Sequence, residues 1–379
     1  MDNAATTRVR EEVIEAMKPF FDLDYGNASS LHSSGVSARD AVEESRERAA
    51  KCIGVSPEEI FFTSGATEAD NMALKGMAFA AKKQGKTHLI VSSIEHHAIL
   101  HTAEWLESQG FSITRLPVDE FGFVKASELE KAITDKTFLV SIMYANNEIG
   151  TIEPIKELSK ICAEKSVPFH SDAVQAFSKI PLNLENVSMV SLSAHKFYGP
   201  KGVGILVKKA GVDIEPLLHG GGHEFGLRSG TENVPGIVGM AKAMELAKKE
   251  MKTEAKRQSR MRDRLFKGIL DIPDTRINGH KTKRLPNNVN ASFSFIEGES
   301  LILRLDKEGV MASTGSACSS PDLEPSHVLL AIGLKPAEAH GSLRLTLGRF
   351  NKMKEVGYVL EVLPAVVEDL RKISPFGRG

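Results

Sequence analysis

The sequence predicts an α/β protein: a mainly parallel sheet flanked by helices, accompanied by a smaller α+β domain. Two observations lead to this fold class. Short apolar runs typical of buried strands alternate with helical stretches between residues 60 and 207, with short connections. Such repeated units form parallel sheets covered by helices on both faces. Beyond residue 258 the alternation becomes irregular, which indicates a second unit.

The elements of the large sheet follow in chain order. Strands are predicted at residues 60–62, 89–91, 113–116, 138–143, 167–170, 187–192 and 203–207. Helices are predicted at residues 38–50, 68–83, 98–108 and 155–164. In sheets of this type, ligands bind outside the carboxyl ends of the strands. The polar clusters that follow the strands therefore predict one shared site.

A long charged helix at residues 241–270 is predicted to bridge two domains. After it, the pattern predicts a strand at 289–295, a helix at 300–307, a strand at 342–347 and a closing helix at 353–370. We expect a large domain at residues 13–257 and a small domain formed by residues 1–12 and 258–379.

The composition argues against several partners. Lysine and arginine number 48 against 49 aspartate and glutamate residues, so there is no overall basic surface for nucleic acid or an anionic membrane. The basic run at residues 248–267 is interrupted by acidic residues, as on a solvated helix face. No window approaches the length of a membrane span. Neither nucleic acid nor a membrane is an expected partner.

The three cysteines are Cys52, Cys162 and Cys318, without any C-x-x-C pair. This predicts neither a disulfide framework nor a zinc site. The charged N-terminus lacks the apolar core of a signal peptide, so we expect a cytoplasmic protein. Cys52 and Cys162 lie in apolar helical contexts typical of buried cysteines. Cys318 lies among small residues without apolar periodicity, which favours an accessible thiol.

The stretch Ser193–Gly202 follows a predicted strand and ends in glycine and proline, which places Lys196 on a turn. Most lysines are exposed surface cations. Here, however, Asp172 follows another predicted strand 24 positions upstream, and a glycine-containing turn precedes a helix further upstream. Together these features indicate a site for an anionic, ring-containing cofactor that bonds to an amine.

That glycine-containing turn is Thr63-Ser64-Gly65-Ala66-Thr67-Glu68. Free amides at the helix start can bind a phosphate. Taken alone, the motif fits a plain helix cap better. No G-x-x-x-x-G-K-[ST] and no G-x-G-x-x-G occurs in the chain, which argues against a P-loop and against a dinucleotide-binding fold.

Three further polar groups follow predicted strands. His96 can stack on a ring or move protons, although paired histidines more often cap a helix or face solvent. The amide of Asn147 can orient a ring hydroxyl. Asp172, with Gln175 nearby, can face a ring nitrogen and keep it protonated. Deleting such a charge-assisted contact costs about 1.5–3 kcal/mol.

These motifs together resemble a known family. Asp172-Ala173-Val174-Gln175 and the stretch Ser193–Gly202 are similar to the class V aminotransferase pattern of fold-type I pyridoxal-phosphate enzymes. Further segments resemble the NifS/IscS-like cysteine desulfurases within that group, at residues 63–71, 95–100, 146–150, 220–231 and 315–319. The resemblance extends from Asp2 to Phe350.

The resemblance implies pyridoxal 5'-phosphate as cofactor. Lys196 matches the lysine that bonds to it and later moves the Cα proton, Asp172 matches the partner of the ring nitrogen, and His96 matches the stacked imidazole. Gln175 and Asn147 match neighbours of the ring hydroxyl, and Asn147 also lies near the substrate. The phosphate positions are matched by Ala66, Thr67, Ser193, His195 and, from the other subunit of a homodimer, Thr231.

For the substrate, Arg344 matches the clamp of the cysteine carboxylate, a role suited to a forked guanidinium. Cys318 matches the nucleophile that takes the substrate sulfur as a persulfide, leaving L-alanine. The long connection from Ser319 to Val328 resembles the subgroup with a mobile cysteine loop. The implied pathway is iron–sulfur cluster assembly, with a scaffold protein as partner. No resident metal is expected, although the Cys318 thiolate can bind iron or a cluster transiently.

The start at Asp2-Asn3-Ala4-Ala5 omits residues that usually precede this motif, and the chain ends near Phe376 without the tail associated with scaffold docking. This makes the scaffold a less direct expectation than the chemistry. Alternatives are a selenocysteine lyase, a class V transaminase, and a persulfide or iron–sulfur carrier without turnover. Cys318 argues against a transaminase, and Lys196 with Asp172 argues against a carrier alone. A hydrolase lacks its G-x-S-x-G motif.

Overall fold

A computed structural model describes residues 1–314 and 325–374. The strands are β1 Ile60–Thr63, β2 His88–Ser92, β3 Ser112–Leu116, β4 Thr137–Ser141, β5 Phe169–Asp172, β6 Met189–Ser193, β7 Gly204–Lys208, β8 Thr275–Ile277, β9 Asn288–Phe293 and β10 Ser342–Thr346. The helices are α1 Glu11–Met17, α2 Pro19–Asp22, α3 Ser33–Ile53, α4 Ala66–Asn71, α5 Met77–Lys82, α6 His97–Ser108, α7 Ala126–Ala132, α8 Ile155–Glu164, α9 Val234–Leu270, α10 Gly298–Lys307, α11 His327–Ala331, α12 Pro336–His340 and α13 Met353–Ile373.

The described strands form two sheets. The larger has the order β1-β7-β6-β5-β4-β2-β3, and its pairings are parallel from β3 through β6. The pairings of β7 with β6 and β1 are antiparallel, because the short turn after β6 leaves no room for a crossover helix. The mainly parallel sheet predicted from the sequence is confirmed.

Both faces of this sheet are covered by helices, as the continuous apolar strands require. Successive side chains of β1 pack into different cores on the two faces of the sheet. Phe62 packs into the core that includes α3 and α9, and Phe61 packs into the core that includes α4 and α5. This double cover leaves the strand ends as the place where polar groups can gather.

The smaller sheet has the order β10-β9-β8 and is antiparallel. Its core combines residues of the second half of α9 with residues of α10 and α13. The expected division at residues 257 and 258 falls inside the continuous helix α9 and stays a prediction.

Several element boundaries differ from the sequence-based expectation. Asp172 was expected to follow its strand but is the last residue of β5, where it pairs with Ser191 of β6. The predicted start at Val167 was wrong, because its N–H bonds the carbonyl of Cys162 and closes α8. Helices α7, α11 and α12 and strand β8 were not predicted, since each is short and lacks a long periodic pattern.

Candidate active site

The carboxyl ends of four adjacent parallel strands bring predicted site residues to one edge of the large sheet. His96 lies after β2, Asn147 after β4, Asp172 at the end of β5 and Ser193 at the end of β6. In the sheet these strands are ordered β6-β5-β4-β2, so their ends are neighbours. The structure therefore gathers these residues, and their individual roles stay predictions.

Lys196 closes a 3-10 turn, Ala194–Lys196, directly after β6. Its Nζ donates to the carbonyl oxygens of Ala4 at 2.7 Å and of Ala5 at 2.9 Å. Gly199 makes the turn possible, because a Cβ there would lie 2.8 Å from the Cβ of Ala194. The amine is thus fixed at the sheet edge by backbone groups of the N-terminal segment.

Asp172 is buried at the same edge. Its Oδ1 accepts a hydrogen bond from the backbone N–H of Val174 at 2.9 Å. Burial raises the pKa of Asp172 to about 6, and the nearby Lys196 ammonium acts in the opposite direction. A cationic group placed beside Asp172 would therefore favour its ionised form.

A second buried carboxyl group, Asp70 on α4, interacts electrostatically with Asp172. Its Oδ1 lies 3.7 Å from Nε2 of His170, whose ring already bonds the hydroxyls of Ser141 and Ser191. Within residues 1–314 and 325–374, neither Asp70 oxygen has a hydrogen-bond partner of good geometry, although the nearby Ser191 hydroxyl acts to lower the pKa of Asp70. Burial, reinforced by Asp172, raises the pKa of Asp70 well above its usual range. Sequence reasoning missed Asp70, although an acid on the apolar face of a helix was an available signal.

His96 is the N-cap of α6, and its Nδ1 accepts from the N–H of Ala98 at 3.1 Å. The neutral ring must then carry its proton on Nε2. Burial, aided by the charge of Lys196, lowers the pKa of His96 to about 4. Its neighbour Glu95 is fully buried, and burial raises the pKa of Glu95 to about 8. His96 therefore presents a neutral imidazole whose Nε2–H can donate.

Arg344 on β10 contributes a buried guanidinium from the small sheet. Its Nη1 donates to the carbonyl of Asn147 at 3.3 Å, and its Nη2 pairs with Oδ1 of Asp2 at 3.1 Å. Among the described residues, no group accepts a hydrogen bond from its Nε. Arg344 thus already binds one carboxylate, which shows that its position suits such a group.

The N-terminal segment at residues 2–7 contacts two more predicted residues. Nε2 of Gln175 donates to the carbonyl of Ala4 at 3.1 Å, the same oxygen that accepts from Lys196. Nδ1 of His195 lies 3.1 Å from Oγ1 of Thr6. Burial, with the charge of Lys196, lowers the pKa of His195 to about 4. These contacts were not predicted, because they join residues more than 170 positions apart.

The glycine-containing loop before α4 lies against the end of β7. Gly204 permits this approach, since a Cβ there would lie 2.7 Å from the backbone of Gly65. A Cβ on Gly65 would itself meet Oγ of Ser193 at 3.9 Å. Ala66 and Thr67 begin the helix here, so their amides lack intrahelical acceptors. With the Ser193 hydroxyl they form a polar cradle suited to a phosphate.

Glu68 connects this cradle to a distant segment. Its Oε2 accepts from the N–H of Ser64 at 2.8 Å, and its Oε1 binds Nε of Arg228 at 2.8 Å. Arg228 precedes Thr231, which is exposed in this chain. Sequence reasoning missed the Glu68–Arg228 pair, since nothing local links the two. Cys318 lies outside the described residues.

The described residues include neither a metal-binding cluster nor a membrane-spanning helix. Across residues 1–314 and 325–374, no group of three or more His, Cys, Asp and Glu side chains is arranged to hold a metal ion. In the same part of the chain, no helix is long and apolar enough to cross a membrane.

Comparison with known proteins identifies the family. Residues 1–359 match the family described as aminotransferase class-V. A curated relative, cysteine desulfurase IscS of Methanosarcina thermophila, is 54% identical over 377 residues, covering 99% of this chain and 93% of the relative.

Solved structures agree with this. A NifS-like protein superposes with a TM-score of 0.92 at 44% identity, covering 97% of this chain and 99% of that one. A structure of SspA in complex with cysteine superposes with a TM-score of 0.81 at 37% identity, covering 93% and 99%. The chain therefore belongs to the class-V aminotransferase family and, within it, to the NifS/IscS-like cysteine desulfurases.

Proposed function

We propose that this chain is a pyridoxal-phosphate-dependent cysteine desulfurase that converts L-cysteine to L-alanine and takes the sulfur onto Cys318 as a persulfide. The observation that carries the proposal is that the N-terminal segment contacts both Lys196 and Arg344, while Asp172 lies close enough to Lys196 to interact with its charge. Lys196 and the strand end at Asp172 come from the large sheet, and Arg344 comes from the small one. An amine, a buried acid and a carboxylate clamp are what the chemistry of an amino acid on this cofactor requires.

The buried acids provide a test of whether the cofactor fits. Asp172 and Asp70 lie in a region where the nearest imidazole, His170, is neutral, because burial lowers its pKa to about 3. A protonated ring nitrogen would add positive charge beside these acids. The nearby Lys196 offsets the burial of Asp172 only in part. The polar cradle at Gly65 and Ser193 suits the phosphate, so the residues present fit pyridoxal phosphate.

In this proposal the cofactor would be held by Lys196, Asp172, Gln175, His96, Asn147, Ala66, Thr67, Ser193 and His195. When bound, it supplies an electron sink for the bonds at the substrate Cα and Cβ. Lys196 would accept the Cα proton. Its amine is held at the sheet edge by the carbonyl oxygen of Ala4. Arg344 binds the substrate carboxylate, with Asn147 beside it. The imidazole of His96 would orient the cofactor ring at the edge of the sheet.

The sulfur step is proposed for Cys318. Its thiolate attacks the substrate sulfur, so an S–S bond forms as the Cβ–S bond breaks. The electron pair of the broken bond stays with the carbon fragment, which takes up protons and leaves as alanine. Cysteine and the Cys318 thiol are thereby converted to alanine and a Cys318 persulfide, without any further oxidant.

One experiment tests the cofactor, substrate and nucleophile together. The purified protein should show the yellow absorbance band of lysine-bound pyridoxal phosphate, and L-cysteine should change that band. Alanine should then form, and mass spectrometry should find one added sulfur on Cys318. The Cys318→Ser variant should keep the band but form no persulfide. Undiminished alanine and sulfide formation by this variant, under reducing conditions, would refute the role of Cys318.

We also propose that the protein acts as a homodimer in which Thr231 reaches the partner's phosphate site. Oγ of Ser29 lies 3.3 Å from Nε2 of His223, which brings the loop before α3 to the segment that carries Thr231. Nearby in these two segments, Leu31 is 91% exposed and Phe225 is 60% exposed. Large apolar side chains so exposed are typical of a surface that another chain covers. Sedimentation of the holoenzyme measures whether the protein is a dimer.

The family membership supports two further proposals. The persulfide sulfur is supplied to iron–sulfur cluster assembly, with a scaffold protein as acceptor, in the cytoplasm. The small domain at residues 1–12 and 258–379 carries both Arg344 and Cys318, so sulfur chemistry and carboxylate binding belong to the same unit. Transfer of labelled sulfur from the persulfide to an added scaffold protein tests the first of these.

A further inference from the structure

The two described ends of the chain around Cys318 attach to different parts of the site, one to Arg344 and the other to loops of the large sheet. Before the gap, Ser313 and Arg344 exchange backbone hydrogen bonds of 3.2 Å and 2.7 Å. After the gap, Ser326 and His327 begin α11. Nε2 of His327 lies 3.0 Å from the carbonyl oxygen of Glu95. The chain therefore leaves from the strand that carries the proposed carboxylate clamp and returns to loops at the edge of the large sheet.

The return point is fixed by a buried carboxyl group. Oγ of Ser326 donates to Oε2 of Glu148 at 2.5 Å, and both side chains are only 4% exposed. The same Oγ caps α11 by accepting from the N–H of Leu329 at 3.2 Å. A buried hydrogen bond to a carboxylate is among the stronger polar contacts in a protein. Ser326 thus couples Glu148 to the first turn of α11.

Glu148 itself is held rigidly. Its N–H donates to Oδ1 of Asn146 at 2.9 Å, and its carbonyl accepts from Nδ2 of Asn288 at 3.0 Å and of Asn290 at 3.2 Å. These bonds tie the loop after β4 to strand β9 of the small sheet. Burial raises the pKa of Glu148 to about 7, while the hydrogen bond from Ser326 and the charge of Arg344 act in the opposite direction. Glu148 is therefore a fixed point between the clamp and Ser326.

We propose that Glu148 is a positioning residue for sulfur transfer, whose carboxylate holds Ser326 in place relative to Arg344. Ser326 is eight residues after Cys318 in the sequence, so it is a described attachment point of the segment that carries that thiol. Glu148 does not receive sulfur or protons in this proposal. The inference rests on the proposed desulfurase function and adds to it the residue that relates the nucleophile's anchor to the substrate clamp.

The test compares four variants of the holoenzyme with the wild type. Glu148→Met removes the acceptor at similar volume, and Glu148→Gln keeps an acceptor oxygen. Ser326→Ala removes the donor, and Ser326→Thr keeps both the hydroxyl and the cap. Two quantities are measured in a single turnover: the cysteine concentration that half-saturates the change in the cofactor band, and the rate at which Cys318 gains sulfur.

Ser326→Ala should slow sulfur gain about tenfold to a hundredfold, because a charge-assisted hydrogen bond is lost. It should leave half-saturation by cysteine within about threefold of the wild type, since Arg344 is not its partner. Glu148→Met should slow sulfur gain similarly, whereas Glu148→Gln and Ser326→Thr should retain most of the wild-type rate. The double variant, Glu148→Met with Ser326→Ala, should be no slower than the slower single variant.

Glu153→Gln is the matched control. Glu153 is a buried glutamate in the same loop, and its Oε2 accepts from the N–H of Val124 rather than from Ser326. Its sulfur gain should match the wild type. The proposal is overturned if Ser326→Ala gains sulfur at the wild-type rate, or if the two single losses multiply in the double variant. If Glu148→Met yields no holoenzyme, the pair Ser326→Ala and Ser326→Thr decides the question.

Failure of the proposed function gives a different result. A wild-type protein that shows no cofactor band, or that forms neither alanine nor persulfide from cysteine, removes the desulfurase itself. A wild type that turns over while Ser326→Ala is unimpaired removes only the role of Glu148.

Discussion

The two walls of the candidate site hold their charged groups in opposite ways. On the wall formed by the large sheet, the acids Asp172 and Asp70 are buried without a full set of partners, and burial raises the pKa of both. On the wall formed by the small sheet, Arg344 is equally buried but already paired with Asp2. On the first wall burial of the acids outweighs the nearby charge of Lys196, and on the second a substrate carboxylate would have to displace Asp2.

This contrast indicates a division of labour. In the proposed function the sheet wall, with its two buried acids, would bind the positively charged ring of the cofactor. On the Arg344 wall the guanidinium is already paired with Asp2, so in the proposed function the substrate carboxylate would compete with Asp2 for it. Variants on the sheet wall should therefore lower the rate of alanine formation. Variants on the Arg344 wall should mainly change the affinity for cysteine.

The largest effect is expected for Lys196→Ala on the sheet wall. Loss of the amine removes both the covalent link and the base that takes the Cα proton, and loss of a general base alone costs about 10²–10⁴-fold in rate. The yellow band should disappear, and alanine formation should fall by at least that factor. Persistence of the band after extensive dialysis would show that another amine holds the cofactor.

The next effect is expected for Arg344→Lys on the small-sheet wall. A lysine cannot form the forked pair of hydrogen bonds with a carboxylate. We expect KM for cysteine to rise about tenfold to a hundredfold with the cofactor band unchanged. Arg276→Lys on the exposed strand β8 is the control and should leave KM unaltered. A large fall in kcat at unchanged KM would contradict the division between the walls.

The pH dependence of stability tests the protonation of Lys179, a buried lysine beside the sheet wall. Lys179 lies with Lys196 along a cavity of about 30 Å³, and no described residue accepts a hydrogen bond from its Nζ. Burial lowers the pKa of Lys179 from 10.5 to about 7. Between these pH values the unfolded chain binds a proton that the folded chain does not, so the free energy of unfolding rises with pH across this window.

Replacing Lys179 by methionine should remove that slope and stabilise the protein at pH 7.5 by about 2–4 kcal/mol. Denaturant midpoints of the holoenzyme at pH 7.5 and pH 9 measure both quantities. Lys160→Met, at an exposed position on α8, should change neither. If Lys179→Met destabilises the protein at pH 7.5, the amine has a structural partner in solution.

Much of the sheet wall could be predicted from the sequence, but few of the contacts that surround it could be. Apolar runs followed by Asp172 and Lys196 predict the strand ends, because strand period and strand-end position are local properties. The role of Asp2 as a partner of Arg344 joins residues 342 positions apart. The bond between Glu148 and Ser326 likewise joins positions 178 apart. Such contacts depend on how the two sheets meet, which no local pattern encodes.

The smallest effect is expected for Asp2→Asn, and its sign differs from that of the other site variants. Asp2 is 27% exposed in its side chain, and in the proposed function it would compete with the substrate carboxylate for Arg344. A partly exposed ion pair is worth about 0.2–1 kcal/mol, so its loss should lower KM for cysteine about two- to fivefold at unchanged kcat. Steady-state alanine formation measures this. In the Arg344→Lys background the same substitution should have less effect, because the forked pairing is already lost. A rise in KM on Asp2→Asn would mean that Asp2 orients the guanidinium for substrate instead of competing with it.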